Sequence, residues 1–308
     1  MHFKALKESI LHVVKNKGKR SIELHVTTNG TLLTAERLKF LRKYGVIVTI
    51  SIDGSRLTHD YNRKLESGPA SSFGLVVNNL KKIKSDLKRG LRASLVFNPS
   101  NCARLFENLI FLRGLGFNNI DFFPDIYNNW TASRLGTLNL QFKKLISYFT
   151  CSIKKCKNFS LDDIFLSDFI RRGSLFGSLN CSKLFLDGKG KFYFCNYSVS
   201  QPIESRRNFL IGDAVKGINS GRRLRLLQEK REELVRNTGI DCNICDYASD
   251  CGCNIGHFIA LSGRSKDLRQ GLLSLCSIRK IYISNFKILK GIIFANKKFK
   301  LNQNSRGY

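Results

Sequence analysis

Short apolar runs alternate with amphipathic helical segments through the first 124 residues of this chain. The apolar runs, which have the length of β-strands, cover residues 22–27, 46–53, 93–97 and 119–123. The helical segments between them cover residues 2–16, 34–44, 73–87 and 103–115. The second apolar run is almost uninterrupted, as expected of a strand buried within a parallel sheet. The alternation therefore predicts an α/β fold built on a parallel sheet or barrel.

Polar residues follow the predicted strands at their carboxyl ends. Asn29 follows the first strand, Ser51 and Asp53 end the second, Asn98 follows the third and Asp125 the fourth. In parallel α/β barrels the reactive groups lie at this end of the strands. These turns are therefore predicted to meet at one edge of the sheet and to form a site.

Three further polar residues, His59, Asp60 and Arg63, come soon after the second strand. They suit the solvated start of a helix. They also suit a site in which the planar guanidinium of Arg63 binds a carboxylate. The sequence leaves both interpretations open.

Seven of the ten cysteines lie after residue 180. They are Cys181, Cys195, Cys242, Cys245, Cys251, Cys253 and Cys276. A Cys-x2-Cys pair places two thiolates on one tight loop, and four thiolates hold one 4Fe-4S cluster. Seven thiols therefore suffice for one full cluster site and one three-cysteine site. Structural zinc, which also takes four thiolates, is the main alternative, and buried cysteines without a metal are the other.

The formal net charge of +29 favours polyanionic partners such as nucleic acid, an acidic membrane surface or an acidic peptide. Nucleic acid is the less favoured partner, because the basic residues are spread along the chain and form no single stripe. No secretory signal and no transmembrane run is visible, so we expect a cytoplasmic protein. In that reducing compartment, clustered cysteines more often bind metal than form disulfides. The sequence predicts no particular oligomeric state.

Beyond residue 174 the pattern changes to short β runs, glycine turns and thiol-rich loops. Residues 184–194 read as a hairpin and residues 222–236 as a charged helix. No acidic residue follows Asp267, although nine Lys and Arg residues do. The end of the chain is therefore predicted to be a basic helix or a disordered arm.

Taken together, these segments resemble the radical S-adenosylmethionine (SAM) superfamily, in the branch with a C-terminal SPASM domain that includes sulfatase-maturing enzymes. The residues that carry the resemblance are Thr28-Asn-Gly-Thr-Leu-Leu33, Ser51-Ile-Asp-Gly54, His59-Asp-Tyr-Asn-Arg63, Gly68 with Ser72-Phe73, Phe123-Pro124 with Trp130, and the seven cysteines. The likeness covers nearly the whole chain to about residue 280.

The resemblance implies a partial (β/α)6 barrel over residues 1–173, an iron–sulfur SPASM domain over 174–280 and a basic tail over 281–308. It implies SAM at the strand ends, with Ser51 near the ribose and Asn29, Asp53 and Arg63 also binding the cofactor. The ligands implied for a full auxiliary 4Fe-4S cluster are Cys242, Cys245, Cys251 and Cys276. Those implied for the three-cysteine site are Cys181, Cys195 and Cys253. A peptide or protein is the implied substrate.

Three departures from the family pattern limit what the resemblance implies. The cysteine spacing ends in Cys251-Gly-Cys253, where the family has three intervening residues, and no thiol near Ser174 completes the first cluster. The Cys-x3-Cys-x2-Cys loop that binds the catalytic cluster is absent, as is the Gly-Gly-Glu-Pro segment that grips SAM. We therefore predict an N-terminally truncated member, without catalytic residues, that does not perform radical chemistry alone.

Two alternatives remain from the sequence. One is a non-catalytic peptide-binding module that kept the cysteine-rich part. The other is a zinc-stabilised nucleic-acid-binding protein, which the charge favours.

Overall fold

A computed structural model describes residues 3–63, 71–83, 90–155, 184–199, 201–247, 254–262, 264 and 267–295. The chain divides into two compact units. One comprises Met1–Pro124, Gln141–Asp168 and Gly291–Tyr308, and the other comprises Asp125–Leu140 and Phe169–Lys290. The domain limits expected at residues 173 and 280 stay a prediction.

The first unit is an α/β structure, as the alternating pattern predicts. Its elements are α1 (Phe3–Asn16), β1 (His25–Thr28), α2 (Ala35–Lys43), β2 (Ile47–Ser51), α3 (Arg56–Asn62), α4 (Ser72–Lys82), β3 (Arg92–Phe97), α5 (Leu105–Gly114) and β4 (Asn119–Pro124). The strands form one sheet in the order β1-β2-β3-β4, and every neighbouring pair is parallel. The fold class predicted from the sequence is therefore confirmed.

One face of this sheet is buried. Val48, Ile50, Leu95 and Phe97 lie on it, and each is at most 2% exposed. The neighbouring helices contribute the buried residues Leu38, Leu41, Val76, Leu80, Leu105, Leu109 and Leu112. Burying one large aliphatic side chain stabilises a fold by about 1.5–3 kcal/mol. The apolar residues spaced two apart in the strands therefore account for the stability of this layer.

The fourth helix ends earlier than the sequence predicts. Its last residue is Lys82, whereas the predicted segment continues to residue 87. Ile83 adopts an extended conformation and is only 2% exposed. Burial of this β-branched side chain accompanies the end of the helix, and residues 84–87 lie outside the described residues.

The second unit contains a small antiparallel sheet and three longer helices. Its elements are α6 (Ala132–Lys155), of which residues 141–155 belong to the first unit, β5 (Phe185–Leu186), β6 (Lys191–Tyr193), α7 (Asn196–Val199), α8 (Ile203–Arg206), β7 (Leu210–Asp213), β8 (Gly217–Ile218), α9 (Ser220–Thr238), α10 (Asn254–Leu261) and α11 (Leu268–Ala295), of which residues 291–295 belong to the first unit. The strand order is β5-β6-β7-β8, and β5 and β6 form the predicted hairpin. Phe194, Ile211, Leu226, Ile255 and Ile259 form the core between the sheet and the helices.

Helix α11 runs through the segment expected to be a basic helix or a disordered arm. Leu275, Ile278, Tyr282 and Leu289 are buried on one side of it, at helical spacing. The predicted tail from residue 281 thus begins inside a packed helix, and residues 296–308 lie outside the described residues. Across the described residues, no helix is both long and apolar enough to cross a membrane.

Candidate functional site

The second face of the parallel sheet is polar and partly open. Register places Thr49 beside Arg92, and it places Ser51 beside Ser94 and Ser94 beside Asp121. All five side chains are partly exposed, although their neighbours along the strands are buried. Parallel sheets are usually covered on both faces. A polar face that stays partly exposed is therefore a candidate binding surface.

An ion pair crosses this polar face between β3 and β4. The Nη2 atom of Arg92 lies 3.2 Å from Oδ2 and 3.4 Å from Oδ1 of Asp121. The side chain of Arg92 is 11% exposed and that of Asp121 35% exposed. The Ser51 and Ser94 hydroxyls lie beside this pair in register. Together these groups offer hydrogen-bond donors and acceptors of both charges to a polar ligand.

Asp53 accepts hydrogen bonds at both carboxylate oxygens just beyond the end of β2. Arg63 donates to Oδ2 through Nε at 2.8 Å and to Oδ1 through Nη2 at 2.9 Å. The Val96 amide donates to Oδ1 at 2.9 Å and the Asn62 side chain donates to Oδ2 at 3.2 Å. Asp53 is 1% exposed. The carboxylate therefore joins the ends of β2 and β3 to α3, and Arg63 binds this internal carboxylate.

His59 extends the same network beneath the turn. Its Nδ1 accepts the Asp53 amide at 3.3 Å, so Nε2 carries the proton and donates to the Ser72 hydroxyl at 3.0 Å. That hydroxyl donates in turn to the Arg63 carbonyl at 2.7 Å. Burial lowers the pKa of His59, with the Asp53 charge opposing that effect. The interpretation of His59 as part of a solvated helix start is wrong, since the ring is 1% exposed.

Asp60, the next residue of α3, contacts the first residues of α4. Its carboxylate accepts the Ser71 hydroxyl at 2.6 Å and the Phe73 amide at 3.2 Å. Burial raises the pKa of Asp60, but the hydrogen bonds from Ser71 and Phe73 outweigh it and hold the pKa below its ordinary value. Asp60 therefore remains ionised and helps to fix the start of α4.

Gly54 allows the chain to turn sharply after Asp53. Its φ is +109°, and a Cβ atom there would lie 2.3 Å from Cγ of Asn108. The Asn108 side chain accepts the Ser55 amide at 3.1 Å and exchanges hydrogen bonds with the buried Thr58 hydroxyl. The close approach of α5 to this turn explains why a glycine follows the strand. Sequence analysis did not find Asn108, although an amide in the apolar face of a predicted helix is a signal that could have found it.

Asn29 shapes the turn after β1. Its side-chain oxygen accepts the amide and the hydroxyl of Thr31 at 3.2 and 2.9 Å. The Asn79 amide group reaches from α4 to the Gly30 and Thr31 carbonyls at 3.1 and 2.8 Å. Of the four residues predicted to bind a cofactor, the structure thus brings Asp53 and Arg63 together. Ser51 lies on the polar face and Asn29 lies in the first turn.

An open groove of about 720 Å³ lies beside α3. Its lining includes Arg56, Leu57, Tyr61 and Arg104. Leu57 and Tyr61, one helical turn apart, are each 64% exposed. The sequence shows no sign of this groove because α3 is too short to show an apolar period. The groove offers apolar surface together with charged groups of both signs, since Asp60 also lines it.

The thiol loop of the second unit begins where α9 ends. Gly239 closes the helix with a φ of +67°, and its amide donates to the Val235 carbonyl at 2.7 Å. The Thr238 carbonyl accepts Nε of Arg269 from α11 at 2.9 Å. Lys280, also on α11, lies 5.6 Å from the Tyr247 ring. These contacts link α11 to Thr238 and Tyr247, which lie before and after Cys242 and Cys245 in the chain.

Cys242 and Cys276 line one narrow cavity of about 10 Å³. The remaining lining residues, contributed by α9, α10, α11 and the loop after α9, are Leu234, Ile240, His257, Leu272, Leu275 and Arg279. Burial, followed by the Arg279 charge, lowers the pKa of His257 well below its ordinary value. A structural zinc or a 4Fe-4S cluster takes four ligands, and thiolates suit both. The two thiols of this cavity supply half of such a ligand set.

The other cysteines are distributed as follows. Cys245 is partly exposed, and Cys195 is 8% exposed with its Sγ accepting the Tyr197 amide at 3.4 Å. Cys181, Cys251 and Cys253 lie outside the described residues. Within the described part of the chain, no group of three His, Cys, Asp or Glu side chains is arranged to hold a metal ion. Cys102 is buried and Cys151 is exposed.

Comparison with known proteins establishes the fold. The chain resembles native anSMEcpe with bound AdoMet, with a TM-score of 0.63 at 15% identity, covering 94% of this chain and 81% of that one. It also resembles native anSMEcpe with bound AdoMet and Cp18Cys peptide, with a TM-score of 0.66 at 14% identity, covering 94% and 82% of the two chains. The chain therefore has the α/β fold of these structures.

One characterised protein resembles part of the chain in amino-acid sequence. The serine-type anaerobic sulfatase-maturating enzyme of Bacteroides thetaiotaomicron is 34% identical over 107 residues. The aligned segment is 34% of this chain, and it spans a quarter (25%) of the relative's length. No family model matches the chain. The chain is thus similar to the anSMEcpe structures in fold and, over about a third of its length, to this maturating enzyme in sequence.

Proposed function

We propose that this chain is a protein of the radical SAM/SPASM type, related to peptide and protein maturases, whose thiols bind iron–sulfur clusters. The observation that carries the proposal is the shared cavity of Cys242 and Cys276, which lie on separate segments of the chain. The fold of the anSMEcpe structures supports the same assignment.

The proposed ligands of a full 4Fe-4S cluster are Cys242, Cys245, Cys251 and Cys276. Cys242 and Cys245 share one loop, and α11 brings Cys276 to the cavity that Cys242 lines. The three-cysteine site would use Cys181, Cys195 and Cys253. Bound clusters would supply one-electron transfer or an open iron site for a substrate.

SAM and a peptide are the proposed ligands of the first unit. The Ser51 and Ser94 hydroxyls and the Arg92–Asp121 pair offer polar contacts on the partly exposed sheet face. In this proposal Asp53 and Arg63 contribute to cofactor binding by fixing the backbone turn after β2. The groove beside α3 offers apolar and cationic groups to a peptide, the class of ligand bound in one anSMEcpe structure.

These 308 residues contain no Cys-x3-Cys-x2-Cys segment. We therefore propose that the 308-residue polypeptide does not cleave SAM by itself and serves cluster and peptide binding. We also propose that the protein is cytoplasmic, since thiols stay reduced in that compartment.

Anaerobic reconstitution of the polypeptide with iron and sulfide tests cluster binding. We expect at least one 4Fe-4S cluster per chain, seen as iron, acid-labile sulfide and a broad charge-transfer absorbance. Stoichiometric zinc without sulfide would instead favour a zinc-stabilised nucleic-acid-binding protein. Steep salt dependence of DNA or RNA affinity would then be the confirming measurement.

Incubation of the reconstituted polypeptide with SAM and dithionite tests the second part. We expect no 5′-deoxyadenosine, measured by chromatography and mass spectrometry. Catalytic formation of 5′-deoxyadenosine by the 308-residue polypeptide would overturn the proposal that it is inactive alone.

A further inference from the structure

Helix α3 exposes its large apolar side chains and buries polar ones. Leu57 and Tyr61 are each 64% exposed, whereas Thr58 and His59 between them are 4% and 1% exposed. Residues four apart are neighbours on a helix surface, so Leu57 and Tyr61 lie side by side. Buried polar groups and adjacent exposed apolar groups reverse the usual arrangement of a helix. Two such apolar side chains at the rim of a groove therefore indicate a binding surface.

The groove beside α3 has a second wall, formed by the turn between β3 and α5. Ser100, Asn101 and Arg104 contribute to its lining. The side-chain oxygen of Asn62, on α3, accepts Nδ2 of Asn98 at 3.1 Å and Nδ2 of Asn101 at 3.3 Å. These hydrogen bonds fix α3 and the turn relative to each other. The groove is therefore a preformed feature of the first unit, as ligand sites usually are.

The charged groups of the groove favour an acidic ligand. Among the described residues that line it, Asp60 carries the only carboxylate. That carboxylate already accepts the Ser71 hydroxyl, the Phe73 amide and, at 3.4 Å, Nε of Arg56. Arg104 is exposed, and within the described part of the chain no ion pair joins it to a carboxylate. A carboxylate on the ligand would complement this excess of positive charge.

We propose that the groove recognises a short peptide segment in which a large apolar side chain lies next to an acidic residue. The apolar side chain would pack on Leu57 and Tyr61, and the carboxylate would bind Arg104. The volume of about 720 Å³ lies in the range of pockets that hold ligands of a few residues. This inference rests on the proposed peptide-binding function and specifies the kind of peptide.

Isothermal titration calorimetry with four synthetic pentapeptides, blocked at both ends, tests the preference. Their central residues are Glu-Leu-Glu, Gln-Leu-Gln, Glu-Ser-Glu or Lys-Leu-Lys, each flanked by glycine. We expect the full 308-residue chain to bind the Glu-Leu-Glu peptide with the lowest Kd. Loss of the carboxylates or of the leucine should each raise the Kd about tenfold, and the Lys-Leu-Lys peptide should bind least.

Variants of the groove locate the bound peptide. Leu57→Ser, Tyr61→Ser and Arg104→Gln should each raise the Kd of the Glu-Leu-Glu peptide by at least about threefold. Arg104→Lys keeps the charge and should retain most of the affinity. Matched controls lie on α9, where Leu224 is 67% exposed and Arg222 is also exposed. Leu224→Ser and Arg222→Gln should leave the Kd unchanged. Since all the altered side chains are exposed, thermal midpoints should match the wild type.

The outcomes separate this inference from the proposed cluster function, because iron and sulfide are measured on the same preparation after anaerobic reconstitution. Preferential binding of the Glu-Leu-Glu peptide that the groove variants weaken supports the inference, even when no cluster is found. A cluster-loaded chain that binds no peptide, or all four equally, overturns the inference and leaves the cluster function standing. Binding that the groove variants leave unchanged overturns it too. Self-association of the wild type that Leu57→Ser and Tyr61→Ser abolish would assign the groove to a second copy of the chain, which also overturns it.

Discussion

Arg63 holds Asp53 through two hydrogen bonds of 2.8 and 2.9 Å, one to each carboxylate oxygen. The pair lies where a parallel sheet of this kind is expected to bind ligands. It ties α3 to the ends of β2 and β3, since Asp53 also accepts the Val96 amide. An internal ion pair therefore links three elements at this edge of the sheet.

Replacing Arg63 by alanine should strongly destabilise the first unit. The change leaves the nearly inaccessible Asp53 carboxylate without its cation. Removing one partner of a buried ion pair lowers the free energy of unfolding by about 3 kcal/mol. Urea unfolding followed by circular dichroism measures the loss. The double variant Asp53→Asn with Arg63→Ala should lose less than the sum of the single changes. Additive losses would show that the two residues do not act as a pair.

Gly54→Ala should be far more damaging than Gly45→Ala. Both glycines have positive φ, at +109° and +65°. An added Cβ at Gly54 would collide with Asn108, whereas nothing lies within 4 Å of one added at Gly45. We expect Gly45→Ala to lower the free energy of unfolding by about 1 kcal/mol, from backbone strain alone. Gly54→Ala should lower it by at least about 3 kcal/mol. Equal shifts in thermal midpoint would contradict the close packing of α5 against this turn.

Acid should weaken the first unit through His59. Burial lowers the pKa of this group in the folded state, so the unfolded chain binds more protons between the two pKa values. The stability that the neutral ring contributes is complete above about pH 6.5 and is lost as the pH falls through the folded value. Protonation would also place a proton on Nδ1, which accepts the Asp53 amide.

Urea midpoints measured between pH 5 and 8 test this linkage. In His59→Gln the slope of stability against pH should be smaller over that interval. An unchanged slope would mean that other groups account for the acid sensitivity.

Cys242→Ser and Cys276→Ser should each remove the same cluster. The two thiols line one cavity, so loss of either leaves an incomplete site. Iron after reconstitution should fall by about four atoms per chain in each variant, and the double variant should fall no further. Cys151→Ser is the matched control, because Cys151 is an exposed cysteine expected to bind no metal. Independent, additive losses from the two variants would argue against a shared site.

The sequence predicts the parallel sheet because apolar runs of strand length alternate with amphipathic helical segments. That alternation is visible without coordinates. The roles of Asp53 and Arg63 were harder to predict. A carboxylate and a guanidinium near a strand end look the same in sequence whether they bind a ligand or each other. Only the fold shows that the two bind each other.

Asn108 illustrates a second limit. It lies on α5, 53 residues from Ser55, and its side chain accepts the Ser55 amide. A contact that distant leaves no periodic signal in the sequence. Gly54 is the only nearby sequence sign of this contact, because Asn108 leaves no room for a side chain at the turn. For the thiols, the close pair Cys242 and Cys245 was evident, whereas the approach of Cys276 depends on the path of α11.

The one-sided burial of the parallel sheet has a consequence for redesign. Within β2, β3 and β4, buried residues that secure folding alternate with residues that stay at least partly exposed. Combinatorial libraries at Thr49, Ser51 and Ser94 should therefore yield mostly well-folded proteins. New binding preferences could be selected on this scaffold without first engineering extra thermal tolerance.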